Sequence, residues 1–224
     1  YALLRGDHLL TASYRAAAAT GSLEFVTLFA RAVERTVAGE AAQGRAVGRA
    51  LSHDEYRRIA LGKAGELLGC ALALAPLLEG RRDAADLFEL GHRVGLLYQM
   101  LDDMLDYCPA AGTGKPSLGD YRQRRWTWVL EECPGMGFDA APARVVERLL
   151  ADRPSGSAMR RCLTRLETEA GLLREAIATR LPEEEVVGTL IADWVATARV
   201  AVEREEDAQR ARCVASVLRE RLPG

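Results

Sequence analysis

Apolar residues recur at intervals of three and four along almost the whole chain, and runs of β-branched residues are scarce. This spacing is typical of α-helices that bury one face, so the sequence predicts an all-α fold. The predicted helices occupy residues 1–20, 23–39, 53–79, 83–108, 119–132, 139–152, 157–180 and 184–221. Since the sequence contains no long linker and no repeat of fixed period, residues 1–224 are interpreted as a single domain.

Residues that commonly begin or end helices fit these boundaries. Ser52 is a typical N-cap for the third helix, and Gly80 is a typical residue at its C-terminal end. The segment Cys108–Asp120 is the richest in glycine and proline and is interpreted as a loop. The charge-rich stretch 203–212, EREEDAQRAR, is interpreted as a solvated helix face.

Charge and cysteine content narrow the class of protein. The chain carries 30 Lys and Arg against 32 Asp and Glu, a formal net charge of −2, so no overall field favours nucleic acid or an anionic membrane surface. Any anion-binding site must therefore be local. The five cysteines lack C-x-x-C spacing, which predicts a reduced, cytoplasmic protein. The most apolar stretch, 67–78, is shorter than the roughly twenty residues that cross a bilayer, so no transmembrane segment is expected.

Three aspartates crowd the end of the fourth predicted helix, in the segment Tyr98–Tyr107, YQMLDDMLDY. These are Asp102, Asp103 and Asp106. At about 100° per residue they share one stripe of the helix with Gln99, and Gly91 and Gly95 extend that stripe toward the N-terminus. The remaining arc is apolar, so the stripe is expected to face an interior space. The two glycines indicate that something approaches the helix backbone closely.

Carboxylates gathered on a buried stripe need a cation, because two like charges about 4 Å apart repel by roughly 4 kcal/mol at an effective dielectric near 20. The C-terminal end of a helix also disfavours anions. The cation is either a protein arginine or a hard divalent ion. Mg²⁺ commonly takes one or two carboxylates and fills its other positions with water and phosphate oxygens. The alternative is a surface acidic cluster without a ligand.

At these residues the sequence resembles a known family: GLLYQMLDDMLDY is similar to the second aspartate-rich motif of the trans-prenyl diphosphate synthases, the polyprenyl synthetase family. Four further segments resemble family motifs in the same order. They are LRGDHLL (4–10), AGEAAQ (38–43), YRRIALGKAGELL (56–68) and GKPSLGDYRQRRWTW (114–128). An ordered set of motifs is far more specific than any one of them.

The resemblance implies a single bundle of long, mostly antiparallel helices around a central cleft, the isoprenoid synthase type, usually assembled as a homodimer. It implies a Mg²⁺-dependent prenyltransferase that condenses an allylic prenyl diphosphate with isopentenyl diphosphate to a short- or medium-chain product. The implied Mg²⁺ ligands are Asp102, Asp103 and Asp106. The implied diphosphate-binding residues are Lys63, Gln99, Lys115, Arg125, Asp120 and Gln43. Lys63, Asp102 and Asp103 are assigned to catalysis.

The lysines agree with this assignment. Of the 30 basic residues only Lys63 and Lys115 are lysines, and both lie within the family motifs. A compact ammonium is a suitable point donor to phosphate. The alternative is that two surface lysines persist there by chance.

The chain departs from the family in one major respect. The family uses two aspartate-rich motifs, and the 224 residues contain no second D-D-x-x-D. The missing motif is expected upstream of Tyr1, on N-terminal helices outside this sequence, or on a partner chain in a heteromer. Three hypotheses stay open: an elongating prenyltransferase, a terpene cyclase or atypical prenyltransferase on the same scaffold, and a non-catalytic subunit of a heteromeric synthase.

Overall fold

The computed structural model describes residues 1–111, 117–151, 156–181 and 185–221, with the backbone alone for 111 and 214–221. Within these ranges the chain forms helices and no strand, which confirms the predicted all-α class. The α-helices are α1 (Ala2–Ala19), α2 (Leu23–Arg45), α3 (His53–Ala60), α4 (Glu66–Leu78), α5 (Ala84–Asp106), α6 (Gly119–Arg122), α7 (Trp128–Glu131), α8 (Pro142–Leu150), α9 (Ala158–Arg180) and α10 (Glu185–Arg221). A π-helical turn, Leu61–Gly65, joins α3 to α4, and a short 3₁₀ helix, Pro109–Ala111, follows α5.

Two predicted helices differ most from the structure. The helix predicted to end at residue 39 continues to Arg45, because Gly39 is a packing position inside it: a Cβ there would lie 2.9 Å from the Lys63 backbone nitrogen. The predicted helix 119–132 is two short helices. Arg124 interrupts it with a left-handed backbone (φ 56°), a conformation that a helix of L-residues does not accept.

The start of α3 is fixed by a reciprocal capping arrangement. The Ser52 hydroxyl accepts a hydrogen bond from the Glu55 backbone N–H (3.3 Å), and the Glu55 carboxylate accepts one from the Ser52 N–H (2.9 Å). Arg49 also donates to Glu55 (3.0 Å), and this bond is the largest cause that lowers the pKa of Glu55 to about 2. The predicted N-cap is therefore confirmed, and its glutamate partner holds the first turn of α3.

The chain divides into two compact units, and the single-domain interpretation stays a prediction. The first unit comprises Tyr1–Ala42 and Arg57–Leu96. Its core centres on Ala17, Phe25, Ala32 and Cys70, with further apolar side chains of α2, α4 and α5 packed around them. By length and composition alone, the helical run His53–Leu78 is apolar enough to cross a membrane, a test that the core helix of a soluble protein also passes.

Glycines bring the backbones of the first unit together. A Cβ on Gly91 would lie 2.4 Å from the Leu68 carbonyl oxygen, and one on Gly95 would lie 2.5 Å from that of Ala64. The close approach that the sequence indicated is therefore real. Its partner is the neighbouring helical run rather than a ligand.

The second unit comprises Gln43–Tyr56 and Leu97–Gly224. Its largest fully buried side chains include Trp128, Met104, Leu149, Met159, Leu166, Leu173, Ile177 and Ile191. Glu205 of α10 is also fully buried, with 0% exposure; it accepts a hydrogen bond from the Ala110 N–H (2.7 Å) and one from Arg212 (3.0 Å). The interpretation of 203–212 as a solvated face is wrong at this residue.

The five cysteines are all free thiols. Cys213 is exposed, and the buried ones are Cys70, Cys108, Cys133 and Cys162. Burial raises the pKa of Cys108 to about 12 and raises the pKa of Cys162 well above its usual range. Of the five, only Cys213 therefore presents an accessible sulfur in the folded chain.

Candidate functional site

The helix that carries the aspartates, α5, is buried along most of its apolar arc. The residues of this arc at 5% exposure or less are Leu90, Val94, Leu96, Leu97, Met100, Leu101 and Met104. Leu105 is half-buried, and Tyr98 is 44% exposed, with its ring centroid 5.5 Å from that of Trp194. Trp128 donates its ring N–H to the Met100 carbonyl oxygen (3.0 Å), which fixes the rotation of the helix near its acidic end. The predicted burial of α5 is confirmed.

The three aspartates lie in different environments. Asp103 is 2% exposed, whereas Asp102 and Asp106 are half-buried. A buried carboxylate is stable only when hydrogen-bond donors replace the water that it has lost. The acidic stripe is therefore withdrawn from bulk solvent, most completely at its middle residue.

Asp103 is held by two neutral donors. The Tyr56 hydroxyl donates to one carboxylate oxygen (2.8 Å), and the Gln99 side-chain amide donates to the other (2.7 Å). Burial, with the nearby Asp103 charge as the next cause, raises the pKa of Tyr56 well above its usual range, so the phenol keeps its proton. Sequence reasoning placed Gln99 beside the diphosphate, and its described partner is Asp103.

Tyr56 is a residue that the sequence interpretation missed. It stands at the head of the motif YRRIALGKAGELL, but its type and spacing alone do not indicate a partner 47 residues further along the chain. The sequence did indicate that Tyr56 has a fixed backbone, because it lies four residues after the N-cap Ser52, on the first turn of a helix. Its backbone N–H donates to the Ser52 carbonyl oxygen (2.9 Å).

Asp106 anchors the segment that follows the aspartates. Its two carboxylate oxygens accept hydrogen bonds from the backbone N–H groups of Gly119 (2.8 Å) and Asp120 (3.0 Å). Its carbonyl oxygen also accepts one from the Leu118 N–H (2.8 Å). Asp106 thus satisfies N–H groups at the start of α6 and ties the end of α5 to α6.

Asp120 and Arg125 continue this arrangement. An Arg125 guanidinium nitrogen lies 3.6 Å from an Asp120 carboxylate oxygen, and the Arg125 backbone N–H donates to the Asp120 carbonyl oxygen (2.8 Å). Six predicted site residues therefore lie in the second unit within one helix end and the turn bonded to it: Gln99, Asp102, Asp103, Asp106, Asp120 and Arg125.

The remaining predicted site residues are Lys63, Gln43 and Lys115. Lys63 belongs to the first unit, where its ammonium is 3.5 Å from a carboxylate oxygen of Glu40. It occupies the π-helical turn, a feature that often occurs at functional positions, and Gly39 and Gly62 pack backbone against backbone beside it. Gln43 is half-buried near the end of α2. Lys115 lies outside the described residues.

The aspartates of α5 suit a hard cation in their chemistry, since carboxylate oxygens are the ligands that Mg²⁺ prefers. Within the described ranges no three His, Cys, Asp or Glu side chains cluster closely enough to hold a metal by themselves. Asp103 and Asp106 already accept bonds from protein donors, although each carboxylate oxygen keeps a second lone pair. The residues therefore fit a Mg²⁺ ion that takes few protein ligands and completes its shell with water and phosphate oxygens.

Comparisons with known proteins agree with this chemistry. A family model for polyprenyl synthetases matches residues 1–163. Solanesyl-diphosphate synthase 1, mitochondrial, of Oryza sativa subsp. japonica is 34% identical over 157 residues, which are 64% of this chain and 36% of that protein. This chain thus spans about a third of the length of that curated relative.

Solved structures share the fold. The apo form of an Arabidopsis medium/long-chain length prenyl pyrophosphate synthase matches with a TM-score of 0.63 and 27% identity, covering 90% of this chain and 72% of that one. A polyprenyl synthase from Caulobacter crescentus, complexed with calcium and isoprenyl diphosphate, matches with a TM-score of 0.69 and 22% identity. That match covers 86% of this chain and 64% of the other.

Proposed function

This chain belongs to the polyprenyl synthetase family, whose model matches residues 1–163, and we propose that it acts as a prenyltransferase that extends an allylic prenyl diphosphate with isopentenyl diphosphate. The observation that carries the proposal is the buried acidic end of α5. Asp103 and Asp106 are fixed there by four hydrogen bonds from Tyr56, Gln99, Gly119 and Asp120. A fold gains little from such an arrangement of like charges unless a cation joins it.

The proposed roles follow from the donors around each aspartate. Asp102, Asp103 and Asp106 are the proposed ligands of Mg²⁺. Asp102 is half-buried on the acidic stripe, and each oxygen of Asp103 and of Asp106 that accepts a protein donor keeps a second lone pair for the ion. Bound Mg²⁺ would stabilise the negative charge that grows on the diphosphate as its bond to carbon breaks. Asp103 and Asp106 set the position of the helix end and of the turn beyond it. The use of a divalent ion is supported by the Caulobacter crescentus protein, which was solved with calcium and isoprenyl diphosphate.

The basic residues are proposed to bind the diphosphate. Lys63 and Lys115 supply ammonium groups, and Arg125 supplies a guanidinium that Asp120 orients from 3.6 Å. Gln43 is proposed as an additional polar contact on the basis of its family motif. Apolar side chains must exclude water from the carbon side of the bond so that the alkene, rather than water, attacks it.

The relatives' names bear on the product. The Oryza sativa protein is named a solanesyl-diphosphate synthase, and the Arabidopsis protein is named for medium and long chains. These names favour a medium- or long-chain product over the short one that the sequence analysis also allowed. The cytoplasmic location stays a prediction, since the Oryza sativa relative is named as mitochondrial.

A partner chain is part of the proposal. Helix α1 exposes Leu3, Leu4, Leu9 and Leu10, and exposed apolar side chains in such numbers favour an interface. We expect a homodimer. A heteromer with a catalytic partner is the second candidate, because these 224 residues contain no second D-D-x-x-D.

The test uses the complete natural polypeptide. It is incubated with farnesyl diphosphate and MgCl₂, with and without isopentenyl diphosphate, and the dephosphorylated products are separated by chromatography. Longer prenyl alcohols that require isopentenyl diphosphate support elongation. Hydrocarbons formed without it identify a cyclase, and the absence of turnover under both conditions identifies a non-catalytic subunit.

A matched pair of variants tests the site itself. Asp102→Asn keeps the shape of the side chain and removes its charge, and it is expected to reduce turnover by at least about 10²-fold. Asp86→Asn makes the same change at an exposed position in the first turn of the same helix and should leave turnover unchanged. Equal turnover in the two variants would contradict the assignment of the acidic end of α5.

A further inference from the structure

We propose that Tyr56 is a positioning residue of this site, whose hydroxyl fixes the orientation of the Asp103 carboxylate and thereby the affinity for a magnesium diphosphate. The inference rests on the proposed function and extends it to a residue to which the sequence analysis gave no role. Tyr56 acts through Asp103 and is not proposed to touch substrate or metal.

The contact is short and enclosed. The Tyr56 oxygen lies 2.8 Å from an Asp103 carboxylate oxygen, and the two residues are 5% and 2% exposed. Gln99 reaches the other oxygen from the same helix, one turn before Asp103 (2.7 Å). Two donors at opposite oxygens fix both the tilt and the rotation of a carboxylate plane, which one donor alone does not.

The tyrosine is itself held in place. It lies in the first turn of α3, where Ser52 and Glu55 cap each other and the Tyr56 backbone N–H bonds to the Ser52 carbonyl oxygen. A phenol has only two side-chain torsions before its hydroxyl rotor, so a fixed backbone and a buried ring leave its oxygen little freedom. The start of α3 therefore fixes the position of the Tyr56 hydroxyl, and this hydroxyl in turn orients the Asp103 carboxylate.

The orientation of Asp103 matters because Asp103 is itself one of the three proposed Mg²⁺ ligands and adjoins another, Asp102. Partners that orient the groups at a metal site commonly change metal affinity by about 10- to 100-fold when they are removed. Without the phenol, one of the two Asp103 carboxylate oxygens loses this donor. We expect the carboxylate then to be oriented less precisely toward the metal.

The test measures binding and needs no turnover. The complete polypeptide is titrated with inorganic pyrophosphate in the presence of MgCl₂ by isothermal calorimetry. Tyr56→Phe removes only the hydroxyl and is expected to weaken binding by about 10- to 100-fold.

Tyr121→Phe is the matched control. Tyr121 is also buried in the second unit, and its hydroxyl lies within hydrogen-bond distance of the carbonyl oxygens of Gly137 (2.8 Å) and Ala140 (3.0 Å). Both variants are expected to melt at a lower temperature, and only Tyr56→Phe should lose affinity for pyrophosphate. Equal affinity in Tyr56→Phe and the wild type, or an equal loss in both variants, would overturn the inference.

A double-mutant cycle separates positioning from a general structural effect. If Tyr56 acts through Asp103, then Tyr56→Phe should change the pyrophosphate affinity of an Asp103→Asn protein by less than about twofold. Effects that multiply in the double variant would show that Tyr56 acts independently of Asp103 and would refute the proposal. A wild-type protein that binds no magnesium pyrophosphate contradicts the proposed function first, and the positioning role falls with it.

Discussion

Substitution of Gly95 by alanine tests the closest helix contact of the first unit. A Cβ at this position would lie 2.5 Å from the Ala64 carbonyl oxygen and 2.5 Å from the Gly65 Cα. Both are backbone atoms, so no side chain can move aside. Because ordinary contact of a Cβ begins near 3.4 Å, α5 and the run through Ala64 and Gly65 must separate by about 0.9 Å, the difference between these distances.

Two opposing terms set the size of the effect. Alanine is favoured over glycine inside a helix by about 1 kcal/mol. Overpacking of a well-packed interior costs about 1–3 kcal/mol, and the upper end applies where rigid backbone has to move. We therefore expect Gly95→Ala to lower the free energy of unfolding by about 1–2 kcal/mol. For a chain of this size the melting temperature should fall by about 2–8 °C.

The controls are glycines with open space around them. Gly171 in α9 and Gly6 in α1 have no neighbouring atom within 4 Å of the position that a Cβ would occupy, and Gly6 shares the first unit with Gly95. Alanine at either position should raise stability by up to about 1 kcal/mol. In urea denaturation, the same Gly-to-Ala change should therefore lower the free energy of unfolding at Gly95 and raise it at Gly6 and Gly171. A rise in the midpoint of Gly95→Ala, equal to that of the controls, would refute the close packing of these helices.

Three further predictions concern other parts of the chain. Native protein at pH 8 should react with one equivalent of Ellman's reagent rapidly and with the rest only after unfolding, and Cys213→Ser should abolish the rapid phase, because the other thiols are buried. Glu205→Ala should lower the free energy of unfolding by about 1–3 kcal/mol in urea, since the Ala110 N–H loses its acceptor, whereas the exposed Glu203→Ala should change it by less than about 0.5 kcal/mol. Since the pKa of Glu55 is lowered to about 2, the ionised Glu55 stabilises the fold fully above the ordinary carboxyl pKa, and this stabilisation is lost as the pH falls toward 2. The melting temperature of Glu55→Gln should therefore be lower than that of the wild type at pH 7 and equal to it at pH 2.

Periodicity predicted the helices because a buried apolar stripe repeats every three or four residues whatever its partner is. The same property placed the three aspartates on one face of α5 and predicted the burial of that helix. Sequence reasoning failed where the partner decides the role of a residue. The predicted helix 23–39 ended at Gly39, yet Gly39 lies inside α2 and packs against the backbone of Gly62 and Lys63. The sequence does not distinguish a glycine that ends a helix from a glycine at which two helices pack closely. Only the position of the neighbouring backbone separates the two cases.

Glu205 shows that part of this information was present in the sequence. The buried residues of α10 before it are Ile191, Ala198, Ala201 and Val202, and the same helical spacing continues to Glu205. A carboxylate on the apolar stripe of a helix is removed from water and must find a donor, whereas Glu203 and Asp207 on the same helix remain exposed. Glu205 meets this requirement at the Ala110 N–H, and Asp103 meets it at Tyr56 and Gln99. The stripe thus identifies which carboxylates need a partner, and only the fold identifies the partner, because Ala110 and Glu205 lie 95 residues apart.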